Sequence, residues 1–170
     1  MEQPVILIGL GANLPSQRFG APLNTLKAAL EELDSCGVHV IKLSRWYSSA
    51  ALPQSAQPRY VNAVASVETA LSPEALLEML HRIEHEYGRL RSETNAARVI
   101  DLDLLAYGDV VRSDIPPILP HPRMVERAFV LRPICDIDAT WRHPLLGQSA
   151  FQLAAVVDDA DLYILEEANI

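Results

Sequence analysis

The sequence predicts an α+β domain, because four segments with strand patterns are interleaved with two segments whose apolar residues recur at helical spacing. Their order is strand, helix, strand, strand, helix, strand, which is the ferredoxin-like βαββαβ arrangement. This order predicts an antiparallel sheet with helices packed on its faces. We expect one domain over residues 1–170, since that length suits a single domain.

A strand, a helix and a second strand are predicted first. Val5–Leu10 is a short apolar run, predicted as a buried strand that leads into the turn Gly9–Asn13. This turn lacks the full GxGxxG pattern and the Gly-Lys-Ser/Thr ending of a P-loop, which argues against dinucleotide binding. Pro22–Leu33 is predicted as a helix that ends at Cys36-Gly37, and Val38–Tyr47 as one strand.

The middle of the chain combines a long loop with a strand and a helix. Ser48–Arg59 has no periodicity and is predicted as a loop, and loops of this length are usually functional or disordered. Tyr60–Leu71 is predicted as a long strand. Ser72 is the predicted N-cap and Pro73 the first residue of a helix that stops at Gly88.

The last predicted core strand is Ile100–Tyr107, which follows the polar, irregular segment Arg89–Ala97. Beyond it the pattern is weaker. Met124–Leu131 is predicted as a short helical turn, Ser149–Val157 as a further helix and Leu162–Leu165 as a short strand.

Composition and charge bound the class of protein. A net charge of −8 argues against general nucleic-acid binding, which needs a basic surface. Cys36 and Cys135 are the only cysteines and are expected to be free thiols in a reducing cytosol. The first four residues lack the basic region of a secretory leader, and no apolar run reaches the roughly 18 residues of a membrane span. We therefore expect a cytoplasmic monomer or weak dimer without membrane contact.

The most informative stretch is Arg98–Leu105, in which two aspartates alternate with apolar residues. In a strand, Asp101 and Asp103 share one face and lie roughly 6.6 Å apart, while Leu102 and Leu104 face a core. Two carboxylates at that spacing suit Mg²⁺ bound between protein and a polyphosphate. A solvated sheet face would show the same alternation, so the neighbouring residues decide between the two interpretations.

Basic and polar residues near this strand favour the phosphate interpretation. Arg89, Arg91 and Arg98 lie in one segment before it and offer planar donors for phosphate oxygens, although a solvated basic loop would look alike. His121 stands between two prolines, which restrict its backbone, and a lone histidine is more often structural. Asn62 offers a donor and an acceptor, which suit the edge of a nitrogen heterocycle.

Six blocks of the sequence occur in a characteristic order and spacing: Gly11–Leu14, Tyr60–Asn62, Arg82–Glu84, Gly88–Arg91, Arg98–Asp103 and His121–Leu131. In these blocks the chain resembles the 6-hydroxymethyl-7,8-dihydropterin pyrophosphokinase family, from about Val5 to Pro133. The resemblance implies transfer of pyrophosphate from ATP to the pterin hydroxymethyl group, with release of AMP, in folate biosynthesis.

The resemblance also implies a role for individual residues. Asp101 and Asp103 would bind two Mg²⁺ ions, and together with Arg91 and Arg98 they would form the catalytic set. The expected pterin contacts are Tyr47, Ser49, Ala50, Leu52, Tyr60, Asn62 and Phe129. The expected ATP contacts are His81, Glu84, Arg91, Arg98, His121 and Arg127.

The chain departs from the family pattern at a few positions. The tryptophan that the family often carries before the aspartate strand is absent from Thr94–Arg98. The usual Thr-x-Pro of the pterin loop reads Ser49-Ala50-Ala51, and a common glutamine reads His81. No metal ligand is lost.

Two other classes of function fit a ferredoxin-like fold. An RNA-binding module would need exposed aromatic and basic residues on Val5–Leu10 and Tyr60–Val67, and these strands lack them. A non-catalytic pterin- or nucleotide-binding protein is the stronger rival, and AMP formation that depends on pterin would separate it from an enzyme.

Overall fold

The computed structural model describes residues 3–51, 56–88 and 99–166. Within them lie six strands, four α-helices and a short 3₁₀ turn, Met124–Glu126. The strands are β1 (Ile6–Ala12), β2 (His39–Leu43), β3 (Trp46–Ser49), β4 (Tyr60–Glu68), β5 (Asp101–Tyr107) and β6 (Tyr163–Leu165). The helices are α1 (Pro22–Ser35), α2 (Pro73–Glu86), α3 (Ala128–Asp138) and α4 (Ala150–Ala154).

The strands form one sheet in the order β5–β1–β4–β3–β6, and β2 pairs with the same edge of β4 as β3 does. Every recorded strand pairing is antiparallel. Since β2 and β3 together occupy the place of the second strand, the core has the predicted βαββαβ order. The predicted α+β fold class with an antiparallel sheet is confirmed.

Helices cover both faces of the sheet. α1 and α2 pack on one face through a buried cluster that includes Leu26, Leu80 and Leu102. α3 packs on the other face, where Leu105 contacts a second cluster with Ile134. Among the residues that the structure describes, no helix has both the length and the apolar character needed to cross a membrane.

The segment predicted as one strand, 38–47, is two strands separated by Ser44 and Arg45. Leu43 pairs with Ala65 and Tyr47 with Asn62, so four steps along this segment face three steps along β4. The extra residue is a bulge. The Ser44 hydroxyl accepts a hydrogen bond from the Val64 amide at 2.9 Å, which replaces a regular rung of the ladder.

α3 is longer than the predicted turn over 124–131. It continues to Asp138 and contains Pro133, which reads as a helix breaker in sequence because it lacks an amide donor. The helix persists because Val130, Ile134 and Ile137 bury one face against the sheet. α4 is shorter than the prediction of 149–157, although Ser149 does begin it, with a capping box to Gln152.

His143 lies in the turn before α4 and is 4% exposed. Its Nδ1 accepts hydrogen bonds from the amides of Leu145 and Leu146, at 3.3 and 3.1 Å, so the neutral ring is the form that fits. Burial holds the pKa of His143 below its ordinary value.

We expect the free energy of unfolding to fall as the pH is lowered from 7 to 5. The unfolded chain binds the proton first, because the folded pKa of His143 is the lower one, so stability is present above about pH 6.5 and lost as the pH falls toward the folded value. His143→Asn keeps an acceptor for the two amides but does not titrate. Urea unfolding across this pH range should give a shallower slope for the variant, and an unchanged slope would contradict the assignment.

Candidate active site

A cavity of about 460 Å³ opens on the α3 face of the sheet, where β1, β4 and β5 lie side by side. Eight of the predicted site residues line it: Ser49, Ala50, Tyr60, Asn62, Asp101, Asp103, Arg127 and Phe129. The sheet brings these residues together although they lie far apart in sequence, because Gly11 of β1 pairs with both Asn62 and Asp101.

The two aspartates lie on one face of β5, as their alternation predicts. Asp101 and Asp103 line the cavity, whereas Leu102 and Leu104 are buried in the cluster beneath α1 and α2. Their carboxylates are partly exposed, and the two hard oxygen donors suit a cation that also takes oxygens from a phosphate.

Two glycines on β1 keep the floor of the cavity open. Gly9 pairs with Asp103 and Gly11 with Asp101, so the residue of β1 directly opposite each aspartate has no side chain. A Cβ added at Gly11 would lie 3.1 Å from the Asn62 Oδ1. The sequence Gly9-Leu10-Gly11 therefore leaves room between the aspartates and Asn62, which is a use of glycine that the turn interpretation of this segment missed.

Arg127 brings positive charge to the aspartate side. Its Nη1 lies 4.0 Å from the Asp103 Oδ2, and its guanidinium carbon lies 5.6 Å from the centre of the Phe129 ring. Both side chains line the cavity. Arg123 also lines it, and it was not among the predicted contacts although it belongs to the same sequence block.

His121 lies close enough to Arg127 and Asp101 to feel their charges, but it does not line the cavity. Burial, and then the charge of Arg127, hold the pKa of His121 below its ordinary value. The Nδ1 accepts a hydrogen bond from the Arg123 amide at 3.2 Å. A neutral ring with the proton on Nε2 fits both observations, and such a ring can donate one hydrogen bond.

Asn62 defines the opposite side of the cavity. It is 4% exposed, and its Nδ2 donates to the Ser49 Oγ at 2.7 Å. Tyr60, Ala50 and Phe129 surround the remaining space. This side of the cavity combines a fixed amide with flat and small apolar groups, which suits a planar polar ring. Gln57 also lines it, and its position in an aperiodic loop gave no signal in the sequence.

Tyr47 does not line the cavity, and its expected contact with the pterin stays a prediction. Its hydroxyl donates to the Asp136 Oδ2 at 2.7 Å, and Arg45 binds the same carboxylate. Burial and the hydrogen bond to Asp136 raise the pKa of Tyr47 to about 12. Burial favours a higher pKa for Asp136, but hydrogen bonds from Arg45 and Tyr47 outweigh it and lower that pKa. This cluster joins α3 to the sheet behind the site.

Glu84 is buried at 1% exposure, although its position on the last turn of α2 would also suit a glutamate on the helix surface. Its Oε2 accepts a hydrogen bond from the Leu102 amide at 3.0 Å, between the two aspartates. It thus supports β5 from the face opposite the cavity. His81, one turn earlier on α2, is exposed, and neither residue lines the cavity. Their contacts with ATP stay predictions.

Replacing Glu84 with alanine should lower the free energy of unfolding by at least about 2 kcal/mol, because the buried Leu102 amide loses its acceptor. Urea denaturation would measure this. Glu86→Ala is the matched control, since Glu86 is exposed on the same helix and pairs with Arg82, and a change within about 0.5 kcal/mol is expected. Equal stabilities for Glu84→Ala and the parent would contradict the supporting role.

Three predicted site residues, Leu52, Arg91 and Arg98, lie outside the residues that the structure describes. Arg89 lies outside them as well. The roles assigned to them stay predictions.

Comparison with known proteins places the chain in a family. Residues 7–139 match the profile of 7,8-dihydro-6-hydroxymethylpterin-pyrophosphokinase (HPPK). A 2-amino-4-hydroxy-6-hydroxymethyldihydropteridine pyrophosphokinase from Synechocystis sp. is 38% identical over 153 residues, which cover 89% of this chain and 75% of that protein. The protein of the same name from Haemophilus influenzae is 40% identical over 131 residues, covering 76% and 79% of the two chains.

Longer proteins contain the same region. The folic acid synthesis protein fol1 of Pneumocystis carinii is 36% identical over 162 residues, and the chain spans 21% of its length. Plasmodium falciparum HPPK-DHPS superposes with a TM-score of 0.69 at 12% identity, over 91% of this chain and 41% of that one, which shows a shared fold. On the profile match and the 38–40% identity to relatives of similar length, the chain belongs to the 7,8-dihydro-6-hydroxymethylpterin-pyrophosphokinase family.

Proposed function

We propose that the chain transfers pyrophosphate from ATP to the hydroxymethyl group of 6-hydroxymethyl-7,8-dihydropterin and releases AMP. The observation that carries the proposal is the pairing of two unlike walls in one cavity. Asp101 and Asp103 form a wall suited to a metal-bound polyphosphate, and Asn62 with Phe129 forms a wall suited to a planar heterocycle. A pyrophosphokinase needs both ligands side by side, which this arrangement allows.

The donor set fits Mg²⁺, which prefers one or two carboxylates plus phosphate oxygens over a site made of protein alone. Asp101 and Asp103 would hold two ions, and Gly9 and Gly11 leave the space above them open. When bound, such ions neutralise the charge that develops on the phosphates and lower the pKa of a coordinated hydroxyl.

The remaining residues of the site bind and orient the substrates. Arg127 and the Nε2–H of His121 would donate to phosphate oxygens, with Arg91 and Arg98 as the further donors expected from sequence. Asn62 would bind the polar edge of the pterin, and Phe129 would pack on its face. Holding the two substrates in the correct geometry is itself a large part of catalysis for phosphoryl transfer.

The deciding experiment measures AMP formed from ATP and Mg²⁺ with and without 6-hydroxymethyl-7,8-dihydropterin. AMP that appears only when pterin is present, in equal amount to the pyrophosphorylated pterin, supports the proposal. Binding of both ligands without AMP would instead identify a non-catalytic binding protein. Absence of pterin binding would overturn the proposed function and would leave only a nucleotide-binding protein as the alternative.

A cytoplasmic location and a monomeric or weakly dimeric state complete the proposal. Both cysteines are free thiols in the structure, in agreement with a reducing compartment. Sedimentation or size-exclusion measurement would test the oligomeric state.

A further inference from the structure

The segment that follows α4 returns to the edge of the sheet beside the cavity. There β6 pairs with β3, matching Leu165 with Trp46 and Tyr163 with Ser48. The strand β3 leads directly into the loop that begins at Ala50. Ala50 lines the side of the cavity that is proposed to bind the pterin. The end of the described chain thus lies against the entrance of this loop.

Asp161 connects this segment to the loop. Its Oδ2 accepts a hydrogen bond from the Ala50 amide at 2.9 Å, and its Oδ1 accepts one from the Arg59 Nη1 at 2.9 Å. The Arg59 Nη2 also donates to the Asp161 carbonyl at 2.8 Å. One carboxylate therefore binds both the start of the loop, at Ala50, and its end, at Arg59.

Arg59 links the end of the loop to its start through hydrogen bonds to Ser48. Its Nε donates to the Ser48 Oγ at 2.8 Å, its Nη2 donates to the Ser48 carbonyl at 3.2 Å, and its guanidinium lies 5.1 Å from the centre of the Tyr163 ring. Next to it, the Asn13 Nδ2 donates to the Pro58 carbonyl at 3.1 Å. The two ends of the loop are thus held by side chains that lie far away in sequence.

These contacts are not explained by stability alone. The side chains of Arg59 and Asp161 are 41% and 57% exposed, and exposed ion pairs contribute little to folding. What the contacts do is fix the backbone of Ala50, next to Ser49 and Ala51 in the cavity wall. Fixing a binding loop in advance saves the cost of ordering it when the ligand binds.

We propose that Asp161 and Arg59 are positioning residues that hold the loop of Ser49–Ala51 in the shape that receives the pterin. The inference rests on the proposed function, since it assigns this side of the cavity to the pterin. It gives the chain beyond α3 a role in substrate affinity, although no residue of β6 lines the cavity.

The test is Asp161→Ala in the full chain, titrated with 6-hydroxymethyl-7,8-dihydropterin in the presence of Mg²⁺ and a non-hydrolysable ATP analogue. We expect about tenfold weaker pterin binding, since the Ala50 amide and Arg59 lose a charged acceptor. Affinity for the ATP analogue alone should stay within about twofold, because the loop lies on the pterin side. Asp161→Asn keeps an oxygen for the Ala50 amide and should lose less than Asp161→Ala.

Asp159→Ala is the matched control. Asp159 lies in the same segment and makes a similar exposed ion pair, but with Arg132 at 2.9 Å rather than with the loop. It should bind both ligands like the parent. Equal loss of pterin and nucleotide binding in Asp161→Ala, the same pterin loss in Asp159→Ala, or no pterin loss in either would overturn the positioning role. A parent protein that binds no pterin would instead overturn the proposed function, so the two failures are distinguishable.

Discussion

Replacing Asp103 with alanine is expected to lower the rate of AMP formation by about a hundredfold or more, equivalent to about 2.7 kcal/mol of transition-state stabilisation. Asp103 lines the cavity, pairs with the bare backbone of Gly9 and lies 4.0 Å from Arg127. Removing it leaves Asp101 as the only carboxylate of β5 in the cavity. One carboxylate would then have to hold the two proposed cations, and the phosphates would lose their alignment.

The fold should survive this substitution, because the Asp103 side chain is partly exposed and faces the cavity. Circular dichroism and urea unfolding would check this. Asp109→Ala is the control, since Asp109 is an exposed acid in the turn that follows the same strand. Activity of Asp103→Ala above about a tenth of the parent, a loss below 1.4 kcal/mol, would rule out the two-metal interpretation.

The aspartate strand could be predicted from sequence because the information is local. Alternation of period two states which side chains share a face, and the structure places Asp101 and Asp103 in the cavity and Leu102 and Leu104 in the core as predicted. The antiparallel βαββαβ fold class could be predicted for a similar reason. Short connections and the order of elements leave few antiparallel arrangements of a βαββαβ chain.

Features that depend on distant partners could not be predicted in this way. In the sequence, Pro133 predicts the end of a helix. The helix α3 continues past it because its apolar face packs against the sheet, and the sequence pattern does not show that contact. Nothing in the sequence links Tyr47 to Asp136, which lies 89 residues away and accepts the hydrogen bond of its hydroxyl.

The same limit applies to Glu84, whose sequence context is a polar helix surface. Its burial results from the position of Leu102 across the interface between α2 and β5, and a helical pattern carries no information about that partner. In this chain, the sequence therefore does not predict contacts between residues that lie far apart in sequence.

Replacing Asn62 with alanine is expected to weaken pterin binding by about 2 kcal/mol, or roughly thirtyfold, and to leave ATP binding nearly unchanged. The Asn62 amide is buried, and its orientation is fixed by donation to the Ser49 hydroxyl. This leaves the Oδ1, 3.1 Å from the Cβ position of Gly11, on the cavity side. In the variant, the polar edge of a heterocycle bound there would be buried without a hydrogen-bond partner. Its binding free energy would then lose more than the net contribution of one hydrogen bond, because the edge has given up its water without gaining a partner.

Calorimetry with each ligand separately distinguishes this role from a general disturbance of β4. Ser66→Ala is the matched control, because Ser66 is a buried polar residue on the same strand and face that lies outside the cavity lining. The control should bind pterin and ATP like the parent. If Asn62→Ala weakened both ligands equally, Asn62 would support the sheet rather than bind the pterin. Selective loss of pterin binding would instead identify the Asn62 side of the cavity as the pterin pocket and leave the aspartate side for the nucleotide.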